Sequence, residues 1–150
     1  MGDLSSASMT EGLAIAFPIL AIVAVLTLYG FRLNLIHLGD DAARQAGISV
    51  EKDKWILFAL ASLAAALTVS FTGIIGFVGL MMPHVARRLF GADNRRLIPT
   101  AALCGGAFLV FCDTLARVVA SPVELPTGVI TAAFGVPFFL ILLWRERNAP

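Results

Sequence analysis

The side chains best placed to do chemistry fall into three groups, and none of them is a catalytic set. Asp113 and Arg117 stand four residues apart, the spacing that brings two side chains together on one helix face. They read either as a salt bridge at a helix end, with the arginine head reaching for water, or as an arginine offered to an acidic partner. Glu124 is a second possible partner for that arginine. Asp40, Asp41 and Arg44, followed by Gly47, form the second group, inside a polar island over residues 34–47. Gly73, Gly76, Gly79 and Pro83 form the third, an interruption in a long apolar stretch. His84 has no second histidine nearby and no carboxylate three or four residues on, which makes a poor metal site; a packing or hydrogen-bonding role suits it better. His37 lies in the polar island, solvated or against a partner. Cys104 and Cys112 are eight apart in one apolar segment, outside any CxxC spacing, and read as small core residues. The chain shows no nucleophile–base pair, no phosphate-binding glycine loop and no paired intramembrane carboxylates. It reads as a non-enzyme that needs no metal and no cofactor.

Composition says what these groups are embedded in. The chain has 150 residues, is 59% hydrophobic and 14% charged, and has a mean hydropathy of +0.89. So much apolar surface cannot be buried in one small core, so the chain is an integral membrane protein with the lipid bilayer as its solvent. The net charge of +1 implies no bulk attraction to nucleic acid. Residues 1–12 are polar, lack a basic segment of the signal-peptide kind, and read as an outer loop.

The apolar segments must position the polar groups. Leu13–Phe31 is long enough to cross ~30 Å of hydrocarbon at ~1.5 Å per residue; Pro18 lies inside it, Tyr29 suits an interface, and Arg32 ends it. In the island, Asp40 is a candidate N-cap, Asp41 favours the positive end of a helix dipole, and Ala42–Ala46 are mostly good helix formers. Gly47 stands where a C-cap glycine belongs. The spacing predicts a short helix within a loop over residues 33–50, with Ser49 or Asp53 capping the next helix. Trp55–Ala86 then runs without a Lys, Arg, Asp or Glu and would measure ~48 Å as one helix, too long for one crossing. Its flanks, Lys52 and Lys54 before and Arg87 and Arg88 after, are both basic, so it must go out and come back. The expectation is a helix over about 54–71, a glycine-rich, partly non-helical return over 73–79, and a short helix over about 80–90. Irregular backbone at membrane depth survives only where it is buried or lines a cavity, which makes the return a candidate pathway element. Residues 91–96 are a short basic turn. The next helix has Pro99 in its first turn and runs to about Val119, with Ala101/Gly105 and Ala102/Gly106 at a spacing that permits close packing. Thr127–Trp144, with Pro137 inside, is the last span. The fold class is therefore all-α: a polytopic membrane helix bundle of about five spans, one of them short, with a short helical loop between the first two.

Charge sets the orientation. With residues 1–12 outside, five crossings put the C-terminus in the cytoplasm, and ten of the eleven Lys and Arg residues fall on the cytoplasmic side, Arg117 being the exception.

Several stretches, taken together and in order, are similar to a known family. Gly76-Phe77-Val78-Gly79-Leu80-Met81-Met82-Pro83-His84, followed by Arg87-Arg88, resembles the GFxGLxxPH signature of the FecCD-type permeases of ABC importers. Leu33-Asn34-Leu35 with Leu38-Gly39-Asp40-Asp41-Ala42-Ala43-Arg44 and Gly47 resembles the family's cytoplasmic loop. Asp113-Thr114-Leu115-Ala116-Arg117 resembles its DxxAR element, and Glu124–Val129 through Gly135–Phe138 its final-span signature. The resemblance covers essentially this whole chain but only the C-terminal half of a ten-span permease. The chain is then one membrane domain over 1–150, whether as a truncated sequence, a split gene or a natural fragment.

The resemblance implies a function and partners. The family imports ferric siderophores, haem and cobalamin across the bacterial inner membrane. The island would be the coupling helices that seat in an ATPase subunit, through Leu38, Gly39, Asp40, Asp41, Ala42, Ala43, Arg44 and Gly47; Asp41-Ala42-Ala43 with Gly47 also echoes the EAA pattern of ABC importers. His37 departs from the small residue usual at its position. Arg117 would receive a glutamate of a periplasmic or lipoprotein substrate-binding protein. Gly73, Gly76, Gly79 and Pro83, with the last span, would line the path at the interface with a second permease copy. Two other readings remain open: a non-transporting subunit that complements a separate N-terminal half, and the permease of a metal-ion importer, for which dedicated intramembrane His or acid clusters are missing.

Overall fold

The computed structural model describes residues 9–119 and 126–147. Six helices follow one another: α1 (Met9–His37), α2 (Asp40–Gln45), α3 (Val50–Thr72), α4 (Val78–Phe90), α5 (Asn94–Val119) and α6 (Thr127–Arg147). Four of them, α1, α3, α5 and α6, are long and apolar enough to cross a membrane. α4, the short helix of the return, has 13 residues and measures only ~20 Å, so it is not one of these four. The all-α membrane bundle with one short, glycine-preceded helix is the architecture the sequence implies.

Several boundaries differ from expectation. α1 does not stop at Arg32 but runs five residues further, and Arg32 pairs with Asp53 of α3. The loop expected over 33–50 is therefore helical through His37. The outer loop expected over 1–12 is helical from Met9, and residues 1–8 lie outside the described residues. Pro99 stands inside α5, not in its first turn. Beside it the Thr100 hydroxyl donates to the carbonyl oxygens of Arg96 at 2.6 Å and Leu97 at 3.1 Å, satisfying acceptors near the gap a proline leaves in the ladder. Pro18 and Pro137 are likewise interior to their helices.

α5 is the centre of the bundle: α1, α4 and α6 pack on it, and α3 packs on α1. Small side chains make these approaches possible. Ala86, Cys112 and Ala116 are buried, and a Cβ added to Gly105 would touch Val78 and Met82 at 3.7–3.9 Å, so of the two small-residue pairs the one containing Gly105 faces a neighbour. Gly106 has nothing within 4 Å. The closest approach lies between α1 and α5, where a Cβ on Gly30 would stand 2.8 Å from the backbone nitrogen of Arg95. Backbone cannot rotate away as a side chain does, so this crossing needs glycine. Outward, the long helices present Phe17, Leu28, Leu103 and Val110 with 68–79% of their surface open. Lipid tails solvate such residues as well as a protein core does.

Candidate functional site

The polar island folds as expected in outline, through different contacts. Gly39, not Asp40, occupies the N-cap position of α2, with φ 124° and ψ 146° and no side-chain cap. Asp40 is the first helical residue, and its carboxylate instead accepts from Lys54 Nζ of α3 at 2.7 and 3.0 Å. Ser49 is the N-cap residue of α3 but makes no side-chain capping bond. At the other end of α2, Gly47 adopts φ 81°, its N–H bonds to the Arg44 carbonyl, and the Ile48 N–H bonds to the Ala43 carbonyl, both at 3.0 Å. This pair of bonds is a Schellman motif. A Cβ at Gly39 or Gly47 would meet nothing within 4 Å, so these glycines serve backbone angle and not space. One face of α2 is seated by Ala43, which is fully buried, and Val50 at the start of α3 is buried too. The other face presents Asp41, Ala42, Arg44 and Gln45, with Leu38 beside it 76% exposed. Arg44 reaches only to 4.0 Å from Glu51, a surface pair worth little.

The pairings behind α2 were not legible in the sequence, and Asp53, expected as a possible cap of α3, lies inside its first turn instead. Asp53, in the first turn of α3, is 1% exposed and receives Arg32 Nη1 on both carboxylate oxygens, at 2.9 and 3.0 Å. Arg32 also lies over the Tyr29 ring, 5.2 Å from its centroid. One step along α1, Asn34 Nδ2 donates to Asp93 at 2.6 Å, while Asn34 Oδ1 accepts from the backbone and side-chain nitrogens of Asn94. Asn94 Nδ2 lies 3.3 Å from His37 Nδ1, a contact in which the neutral ring nitrogen is the acceptor. Asp93 caps α5 by accepting from the Arg95 N–H at 3.0 Å. The Asn34 bond and this backbone bond, with Arg95 and Arg96 nearby, hold its carboxyl below the usual value of 3.8. The one signal available for these contacts was the presence of isolated Asn and Asp residues at the ends of apolar segments.

The glycine-rich return is irregular over 73–77; Gly79, expected within it, is helical and belongs to α4. Gly73 ends α3 with φ 68°, and Phe77 starts α4 in the left-handed region, φ 69°. A bulky residue rarely adopts that conformation. Here the Phe77 side chain occupies the space where a Cβ on Gly135 of α6 would stand. Val78 lies beside Gly105, 11 residues after Asn94 (105 − 94) and so ~17 Å along α5. The return therefore carries the chain from the far end of α3 back to mid-bundle. Gly76 and Gly79 face open space, and Pro83 is an exposed residue inside α4. His84 packs edge-on against Phe138, 6.0 Å between ring centroids.

Arg117 stands at the opposite end of α5 from α2, 22 residues after Arg95 (117 − 95), or ~33 Å. Its Nε donates to Asp113 at 2.8 Å, the pairing the spacing predicts. The other Asp113 oxygen accepts from Thr127 at 3.1 Å, which joins α5 to the start of α6. Glu124, the second expected partner, lies outside the described residues. Among the described residues no three metal-ligating side chains converge.

The pattern of a short capped helix between two spans, a glycine return and an end-of-span arginine extends over the whole chain, and residues 1–145 match the FecCD transport family. The chain belongs to that family. The cobalamin import system permease BtuC of Halobacterium salinarum is 47% identical over 134 residues, covering 89% of this chain and 36% of that protein. The hemin transport permease HmuU of Yersinia pestis is 40% identical over 148 residues, covering 99% and 44%. A solved metal-chelate type ABC transporter in an inward-facing conformation superposes with a TM-score of 0.89 at 30% identity, over 96% of this chain and 46% of that one. The chain thus spans between about a third and a half of the length of these matched proteins. The stretches that resemble the family's loop, GFxGLxxPH and DxxAR motifs fall on α2 and its flanks, on the end of the return with the start of α4 (76–84), and near the end of α5 (113–117).

Proposed function

We propose that this chain is a membrane-spanning portion of the permease of an ABC importer that moves iron–siderophore, haem or cobalamin-like substrates inward. The observation that carries the reading is α2. A six-residue helix is fixed between two spans by glycines whose positive φ angles serve no packing need. Its exposed side is left to Leu38, Asp41, Ala42 and Arg44. A rigid helix joined to two spans converts movement of a docked ATPase into movement of those spans. ATP is hydrolysed by that partner, not by this chain. α2 and the basic turns lie in the cytoplasm, as the distribution of Lys and Arg requires, so Arg117 lies at the outer face, where it receives an acidic residue of a substrate-binding protein. The return and α6 border the path at the contact with a second permease copy.

The test uses the permease assembled with its ATPase in proteoliposomes. The double variant D41A/R44A is expected to lose uptake while the membrane domain still folds; transport at the wild-type rate would sink the assignment of α2. In parallel, R117E is expected to weaken association with the binding protein, and more so at low salt. Equal affinity would sink the docking role of Arg117.

A further inference from the structure

The last turns of α1 carry two ties at nearly one level. Arg32 Nη1 bridges both oxygens of Asp53 on α3 at 2.9 and 3.0 Å. Two residues on, Asn34 grips Asp93 and Asn94 at the start of α5, beside the backbone contact of Gly30 with Arg95. α2 is strung between α1 and α3, and its own links to α3, Asp40–Lys54 and Arg44–Glu51, join partly exposed side chains. Such pairs hold geometry weakly, so the attitude of α2 depends on how the ends of α1 and α3 are held together. Asp53 is unlike those surface residues: its side chain is 2% exposed. A carboxylate at that depth persists only when paired, and an apolar pair would fill the space without the desolvation penalty. What the ion pair adds over apolar packing is direction, because it joins α1 and α3 in one register.

On the reading that α2 receives the motion of an ATPase, we propose that Arg32 and Asp53 are a positioning pair. The pair makes α1, α2 and α3 one rigid lever, so that displacement of α2 moves both spans together and passes through Asn34 to α5. Without it α2 still docks, but its movement is spent in bending the α1–α3 junction.

Two measurements on the full permease assembled with its ATPase test this. Spin labels at Ala42 and Phe58, both exposed, report the α2–α3 distance, with the native cysteines replaced. The wild type is expected to give one narrow distribution that ATP with vanadate leaves in place, and D53N a broadened or shifted one. Uptake per ATP hydrolysed is then measured with whichever of cobalamin, haemin or a ferric hydroxamate the wild-type complex accumulates. D53N is expected to keep its ATPase and hydrolyse ATP within about twofold of wild type while the ratio falls at least fivefold, and the reversed pair R32D/D53R to regain a substantial part. Equal distributions, or an unchanged ratio, in D53N overturn the proposal. Should D53N lose its ATPase, R32K gives the second reading, with the charge on a shorter stem: an unchanged ratio overturns the proposal and a reduced one with the ATPase retained supports it. If the wild-type complex holds no ATPase or accumulates none of the three probes, the importer reading itself fails, and the label distances without nucleotide still decide whether the pair is what holds α2.

Discussion

Replacing Gly47 by Ala isolates the contribution of backbone angle to α2. Gly47 sits at φ 81° with nothing within 4 Å of a would-be Cβ, so the added methyl clashes with no neighbour. The remaining penalty is that of a left-handed conformation for a β-carbon residue, about 1–2 kcal/mol, or roughly a 5- to 30-fold rise in local opening. Gly39, at φ 124° and ψ 146°, is closer to a region that only glycine populates, so Gly39→Ala is expected to cost about as much or more, ~1–3 kcal/mol. Hydrogen exchange of the Gly47 and Ile48 amides, which close the Schellman bonds at 3.0 Å, reads the opening directly. The discriminating variant is Gly47→Asn, because asparagine tolerates the left-handed region better than alanine does. Protection is expected to fall in the order Gly, Asn, Ala. A larger loss for Asn than for Ala would mean that side-chain volume, not backbone angle, matters at 47, and would refute the reasoning.

Three further outcomes follow from named contacts. Arg32→Ala leaves the Asp53 carboxylate buried and unpaired and should cost about 3 kcal/mol, the low end for a broken buried pair because water reaches the half-exposed arginine; Lys54→Ala should cost less than ~1 kcal/mol, and thermal melting in detergent compares the two. Asp93 titrates below its ordinary value of 3.8, so its contribution is fully present above that value and is lost as pH falls through the lowered one; Asp93→Asn should flatten the acid limb of a stability–pH curve and lose its effect on the curve's slope above about pH 5. Gly30→Ala places a methyl against the Arg95 backbone and should destabilise by about 1–3 kcal/mol, whereas Gly106→Ala, with open space around it, should stay within ~0.5 kcal/mol in the same melting assay.

Periodicity and charge were enough to read the bundle, because a bilayer forces each span to be long, apolar and flanked by sign-biased loops. The return was legible for the same reason: an apolar stretch too long for one helix, with basic flanks, has to double back. The contacts that fix α2 were not legible. Asp40 has the residue type of an N-cap, yet a competing partner, Lys54, claims its carboxylate across the gap between two helices, and local pattern carries no information on that competition. Arg32 reads as the end of a span only if its charge must reach water; an acid 21 residues away satisfies it instead. Gly30 shows the same limit. Its composition is ordinary for a membrane helix, and only the approach of another backbone makes it necessary.

The distribution of polar ties bears on how such a bundle moves. Among the described residues, the side-chain bonds that join one helix to another cluster at the α2 end: Arg32–Asp53, Asp40–Lys54, and Asn34 with Asp93 and Asn94. At the other end, Thr127–Asp113 is the described tie between helices, and between the two ends α4, α5 and α6 meet through glycines, Val78, Met82 and aromatic side chains. Dispersion contacts in a membrane interior have no hydrophobic force behind them and permit small shifts in register, whereas charged and amide pairs with short, directed bonds do not. Motion delivered at α2 would then be resisted at its own end and expressed toward Arg117 and the mid-bundle return, where the irregular backbone of 73–77 interrupts helical stiffness. On the proposed importer reading, that asymmetry would supply a stiff end that takes the load and a compliant end where the path opens.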